Sequence, residues 1–278
     1  MKRLKQFILC VLLPVLPQLA AGQGVDSTES IWRASSIGAE IGINDVHVSD
    51  RYLSPQIARG SVFASRLAAQ FRSEDYRHAI RLMFTTGSLE PGGAKEYTQY
   101  AGYLSYSFDH RLAAWSLGGQ PFGLSAGGGL STFLSFTHLK TVDKSTVTFS
   151  TDGSGYLSHS INILLRGEYQ PAGGHSLSVE CFMPAVRLVS RPENGHGLNS
   201  RNNEVDANNL KAVTGGRLEF LWTNLVLTCE MEYRARISGR VEVHGSYWFG
   251  YTSSDRPDQV LALGMYMNQF LVGFDVLL

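Results

Sequence analysis

Apolar and polar residues alternate along most of this chain, and the charges keep to one of the two parities. Successive side chains of a strand point to opposite faces, so a period of two gives each strand two unlike faces. Ile37, Ala39, Ile41 and Ile43 stand against Gly38, Glu40 and Gly42, and Phe63, Leu67, Ala69 and Phe71 against Ala64, Arg66, Ala68 and Gln70. His78, Ile80, Leu82 and Phe84 oppose Arg77, Arg81 and Thr85, and Tyr100, Leu104, Tyr106 and Phe108 oppose Gln99, Ser105 and Ser107. The pattern continues through Phe122–Phe136, Leu157–Tyr169, Leu177–Met183, Leu218–Trp222, Leu225–Tyr233, Val241–Tyr251 and Leu261–Met265, and closes with Phe270, Val272, Phe274, Val276 and Leu278. No Asp, Glu, Lys or Arg falls on these apolar parities. Arg or Lys facing lipid at mid-depth costs about 2 to 4 kcal/mol, whereas the same residue facing a wet lumen costs little. The asymmetry therefore predicts an all-β, single antiparallel transmembrane β-barrel. Several runs alternate for ten residues or more, longer than the five or six usual in a soluble sandwich.

The N-terminus fits an exported protein. Lys2, Arg3 and Lys5 precede an apolar run from Phe7 to Leu16, broken by Pro14 and Pro17 and followed by Ala20, Ala21 and Gly22. That is the pattern of a secretory signal peptide, residues 1–22, with Gln23 first in the mature chain and residues 23–278 forming the barrel domain. The run is short of the roughly 20 residues of a membrane helix, and no later segment offers eighteen apolar residues. Cys10 lies within the apolar run, which argues against its being a lipidation site. Cleavage leaves 21 basic and 24 acidic residues, a net of −3, and gives no reason to expect a nucleic-acid partner. Cys181 and Cys229 belong to no Cys/His cluster, so neither a metal nor a cofactor is expected. The segments as counted place another strand between these two cysteines, which predicts free thiols roughly 10 Å apart.

Counting the segments gives about 12 strands, with ten or fourteen as alternatives. A bacterial single-chain barrel needs an even number and alternates short periplasmic turns with longer outer loops. Arg72–Tyr76, Gln170–His175 and Thr223–Asn224 suit turns; Gly87–Glu96, His138–Gly155 and the Asn-rich stretch 190–211 suit loops. Two connectors fit poorly: Asp109–Pro121 is long for a turn and Ser238–Gly239 is tight for an outer loop.

Tyr52-Leu53-Ser54-Pro55, with Gly60 beyond it, and Arg191-Pro192 after a strand resemble marks of a group of uncharacterised outer-membrane barrels of Bacteroidota. The alternating C-terminal strand is likewise similar to that of outer-membrane barrels, with Leu278 in place of the usual terminal aromatic. The resemblance implies a Gram-negative outer-membrane location, contact with membrane lipid and lipopolysaccharide, and recognition of the last strand by the barrel-assembly machinery. It implies no activity.

Three constellations invite a chemical reading. Gly123-Leu124-Ser125-Ala126-Gly127 matches GxSxG, but the strand pattern runs straight through it and no helix follows to make a nucleophile elbow. His244 and Ser246 share one strand face with Glu242, and His-x-Ser resembles outer-membrane phospholipases and deacylases. Parity nonetheless turns both toward the lumen, where acyl chains do not reach. The third is a ladder of charges on the inward parity: Arg217 and Glu219, then Glu230, Glu232, Arg234 and Arg236, then Arg240 and Glu242. Such a ladder either sets a field in a pore or neutralises itself as a network filling the bore. Small inward residues, Gly123, Ser125, Gly127, Gly129 and Ser131, predict space that would be wet in a barrel of about twelve strands. The expected function is accordingly a narrow channel for small polar solutes or a structural membrane protein. The rivals are an esterase using His244 and Ser246 and a barrel that binds a partner through its outer loops.

Overall fold

A computed structural model of the chain describes residues 35–50, 57–73, 75–90, 95–141, 153–171, 173–190, 217–220, 226–254 and 263–278. The signal segment 1–22, the Tyr52–Pro55 and Arg191-Pro192 marks and nearly all of the Asn-rich stretch lie outside the described residues. The strands are β1 (Ser36–Asp50), β2 (Ile57–Arg72), β3 (Tyr76–Leu89), β4 (Lys95–Leu117), β5 (Gln120–Thr141), β6 (Gly153–Tyr169), β7 (His175–Ser190), β8 (Arg217–Phe220), β9 (Val226–Ser238), β10 (Val241–Ser254) and β11 (Leu263–Leu277). Each pairs antiparallel with its neighbours, β1 pairs with β11 and β6 with β7, so the sheet closes into a barrel.

The closed ring has ten strands, and the twelve-strand expectation is corrected at two places. β8 pairs only with the far half of β7, from Val186 to Val189, while β9 pairs with the near half from His175 to Phe182. The segments Leu218–Trp222 and Leu225–Tyr233 are thus not two full ring strands joined by a turn. Leu263 to Leu277 is likewise one strand, and Met265 points inward from it while Phe270 and Val272 point out. Apolar residues on both faces had given this strand the look of two.

Ten strands also resolve both awkward connectors. β4 continues to Leu117 and turns into β5 at Gly118-Gly119, whose φ of 60° and 81° suit the type I′ turn that glycine adopts without strain. The tight β9–β10 connection falls at the same rim as the start of β1 and the end of β11. We call this the terminal rim. The longer connections all leave the opposite, loop rim.

The outer wall carries a belt of exposed apolar side chains, including Ile41, Leu67, Leu104 and Leu130, each half or more exposed. On β1 and β2 the belt ends where Asp45, His47, Arg59 and Ser61 take over the outer face. Cys181 and Cys229, on the outer face, are register partners on adjacent strands and form a disulfide with Cα atoms 4.2 Å apart. The free-thiol expectation fails because no strand separates β7 from β9.

Candidate functional site: the barrel lumen

The inner face is built in two storeys. At belt level it is ionic. Glu40 and Arg66 are register partners on β1 and β2, and the guanidinium donates Nε and Nη2 to the two carboxylate oxygens at 2.7 Å each. The third nitrogen, Nη1, reaches Glu230 on β9 at 2.5 Å. Arg81 of β3 meets Glu180 of β7 at 2.8 Å, Arg166 of β6 meets the same carboxylate at 3.3 Å, and Arg77 of β3 also donates to it. Arg77 holds Asp109 of β4 at 2.6 Å, and Arg72 holds Glu168 at 3.3 Å. Arg234 lies 2.8 Å from Glu232 and 2.7 Å from Asp275, and Arg236 lies 3.1 Å from Glu242. The β2–β9 and β3–β7 contacts join walls four strands apart around a ten-stranded ring, so they cross the bore.

Desolvation makes such a network all-or-none. Each ion forfeits several kcal/mol of hydration, which its partners offset only while they stay in place. Seven arginines, Arg66, Arg72, Arg77, Arg81, Arg166, Arg234 and Arg236, face eight carboxylates, Glu40, Asp109, Glu168, Glu180, Glu230, Glu232, Glu242 and Asp275. His244 lies 3.1 Å from Glu40 and 3.6 Å from Asp275, the place where an eighth cation would balance the set.

Toward the loop rim the inner face turns apolar. Val46, Val48, Ala58, Val62, Leu89, Tyr97, Tyr156, Val189, Trp248, Met265 and Met267 form one buried cluster, with Phe133 packed against it. On β1 and β2 this change occurs at the level where the outer face becomes polar, so the wall reverses its two faces partway up. Below is a membrane-type barrel with a polar interior; above is a soluble-type barrel with an apolar core. A second, smaller ionic cluster sits high on β7, where Arg187 bonds Glu219, Thr252 at 2.6 Å and the Ser253 carbonyl at 2.8 Å. A cavity of about 60 Å³ remains between the storeys, bordered by Ser131, Asn162, Phe182, Thr228 and Trp248.

The sequence-predicted residues divide accordingly. Glu230, Glu232, Arg234 and Glu242 lie buried in the belt-level network, and Arg236 stands at its edge. Glu219 belongs to the upper cluster with Arg187. Arg217 opens β8 opposite Val189. Arg240 occupies the exposed β9–β10 turn and therefore lines no lumen. Ser125 sits mid-strand on β5, facing inward, with β-structure continuing on both sides. The space expected beside Gly123 and Ser125 is taken by guanidinium groups: Ser125, Arg72, Arg77 and Arg166 border a remainder of about 20 Å³. A ten-stranded ring is narrow enough for long side chains from opposite walls to meet there.

Ser246 and His244 do share an inner face, but the hydroxyl is committed elsewhere. It donates to Glu40 Oε2 at 3.0 Å and accepts from Arg66 Nη2 at 3.1 Å. A nucleophile needs its base within hydrogen-bond reach, and here a carboxylate holds that place. Among the described residues no group of three or more His, Cys, Asp or Glu is placed to hold a metal ion.

No protein-family model matches the chain, and no curated protein does. Several solved structures are similar at low scores. Neisserial surface protein A has 11% identity over 87% of this chain and 97% of its own, with a TM-score of 0.36. The attachment invasion locus protein Ail of Yersinia pestis, in complex with a heparin analogue, has 8% identity over 88% and 99%, with a TM-score of 0.38. The translocator domain of the autotransporter NalP from Neisseria meningitidis has 10% identity over 98% and 97%, with a TM-score of 0.41. The barrel assignment itself stands on the strand register.

Most of the network escaped the sequence reading. Glu40, Arg66, Arg72, Arg77, Arg81, Asp109, Arg166, Glu168, Glu180, Arg187 and Asp275 were not grouped with the ladder. Their signal was present, since several sit on the polar parity of strands already recognised. Extending the ladder around the whole ring would have gathered them.

Proposed function

We propose that the chain is a Gram-negative outer-membrane β-barrel that serves chiefly as a structural membrane protein, with its bore shut at rest. The carrying observation is the junction at Glu180, where Arg77 and Arg81 of β3 reach a carboxylate of β7 across the lumen and Arg166 of the adjacent β6 joins them. The exposed apolar belt on a closed sheet supports the membrane setting, because lipid requires every backbone group in the wall to be paired. The signal-peptide pattern supports export, and the resemblance in Tyr52–Pro55 supports a Bacteroidota-type origin. Membrane lipid and lipopolysaccharide are the partners of the belt, and the last strand is the segment offered to the assembly machinery. Small polar solutes would pass only if the Glu180 junction parted.

The test is planar-bilayer conductance of the refolded protein, with cell fractionation alongside. We expect outer-membrane recovery and no steady conductance. An ohmic pore in the wild type, or recovery from the inner membrane, overturns the reading.

A further inference from the structure

β4 and β5 run past the rest of the wall at the terminal rim. Pairing with β3 ends at Tyr76 opposite His110, so residues 112–117 of β4 have no strand beside their outer edge among the described residues. On the other side β5 stays backed almost to its tip, since Phe122 pairs with Tyr169 and the Gln170 N–H donates to the Pro121 carbonyl at 3.0 Å. A β-bulge between Arg111 and Ala113 shifts the parity of β4 by one. Before it Tyr106 and Phe108 face outward; after it Trp115 and Leu117 do, on the same side as Phe122. Bulges re-aim side chains in this way. The Trp115 and Phe122 rings lie 4.7 Å apart, and Leu112, Trp115 and Leu117 are 61%, 47% and 54% exposed. From Leu112 to Leu139 the sequence holds no Asp, Glu, Lys or Arg.

We propose that this hairpin is an interfacial anchor that lays Trp115, Leu117 and Phe122 into the phospholipid headgroup layer at the terminal rim. The inference rests on the membrane-barrel reading and adds a depth and a lipid-contacting element to it. Two constraints fix the depth. An unpaired backbone edge is excluded from hydrocarbon, where nothing satisfies its N–H and C=O groups. An uncharged face of Trp, Leu and Phe is disfavoured in bulk water. The headgroup layer meets both demands, because water reaches the edge while the rings lie among lipid. The bulge favours lipid over an added partner strand, since it twists the edge away from flat pairing. It also makes the apolar face continuous with the belt.

The test uses the full mature chain refolded in phospholipid vesicles, with its disulfide intact so that an introduced cysteine reacts alone. Leu117→Cys and Leu104→Cys, each carrying a bimane label, are compared for quenching by lipid nitroxides and by aqueous iodide. Leu104, at mid-belt, reports on the membrane reading by itself. We expect shallow headgroup-region nitroxide to quench the Leu117→Cys label several-fold more than iodide does, and a deep nitroxide to quench the Leu104→Cys label. Iodide quenching at Leu117→Cys with lipid quenching retained at Leu104→Cys overturns the anchor and spares the barrel. Shielding of the Leu117→Cys label from both quenchers points to a protein cover and also overturns it. Loss of lipid quenching at Leu104→Cys overturns both readings.

Discussion

Glu180 of β7 and Arg81 of β3 face each other across the bore at 2.8 Å, from strands separated by three others. The strand ladder pairs Glu180 with Arg166 of β6 and not with Arg81, so the Arg81 contact is the one that ties opposite walls together. Glu180→Gln leaves Arg77, Arg81 and Arg166 short of a common acceptor, and breaking a buried pair typically costs about 3 to 5 kcal/mol. We expect a loss of that order in urea unfolding from lipid vesicles. Combined with Arg81→Gln, the loss should fall well below the sum of the two singles, because both remove one interaction. Additive losses would show that the contact carries no coupling.

The Cys181–Cys229 disulfide predicts two further thiols on reduction of the unfolded protein. With the cysteines 48 positions apart in the chain, the chain-entropy account allows a stabilisation of up to about 4 kcal/mol. Thiol titration before and after reduction checks the bond, and unfolding of the doubly Ser-substituted protein checks its weight. Equal thiol counts would contradict the pairing.

The reversal of the wall predicts a sharp depth dependence on one face of β2. Leu67 lies within the belt, while Ser61, opposite Asp45, lies just beyond it. Leu67→Arg should cost about 2 to 4 kcal/mol, and Ser61→Arg at most about 1 kcal/mol. Comparable losses in vesicle folding assays would place the membrane boundary elsewhere.

These predictions also show which parts of the molecule the sequence could disclose. Alternation is local, so the parity of Ile37–Ile43 or Phe63–Phe71 can be read residue by residue. Met265 defeats that rule because the upper storey has an apolar interior, which puts hydrophobic residues on the inward parity of the strand that also carries Phe270 outward. The Gly118-Gly119 turn was legible only once β4 was allowed to run on to Leu117. The cross-bore contacts were not legible at all: Arg77 and Glu180 are 103 residues apart in the chain, and their meeting depends on ring size. Ring size in turn depended on whether β8 counted as a full strand.

The two storeys act as closures in series, and this gives the strongest test of the shut bore. Trp248 is 6% exposed in the apolar cluster, with its ring 6.4 Å from that of Tyr103. Trp248→Ala should cost about 3 to 5 kcal/mol through the cavity it leaves. It should open no path, because the Arg66–Glu40–Glu230 and Arg81–Glu180 contacts still cross the bore below. Glu180→Gln alone should likewise fail to conduct while the apolar cluster above excludes water. Only the double variant, Trp248→Ala with Glu180→Gln, weakens both storeys, opening space in the packing above and releasing Arg77, Arg81 and Arg166 from their common acceptor below. We expect brief conductance events from it in planar bilayers and none from either single variant. Equal conductance in a single and the double variant would mean that one storey alone forms the barrier, and its identity would show whether charge pairing or apolar packing closes the barrel.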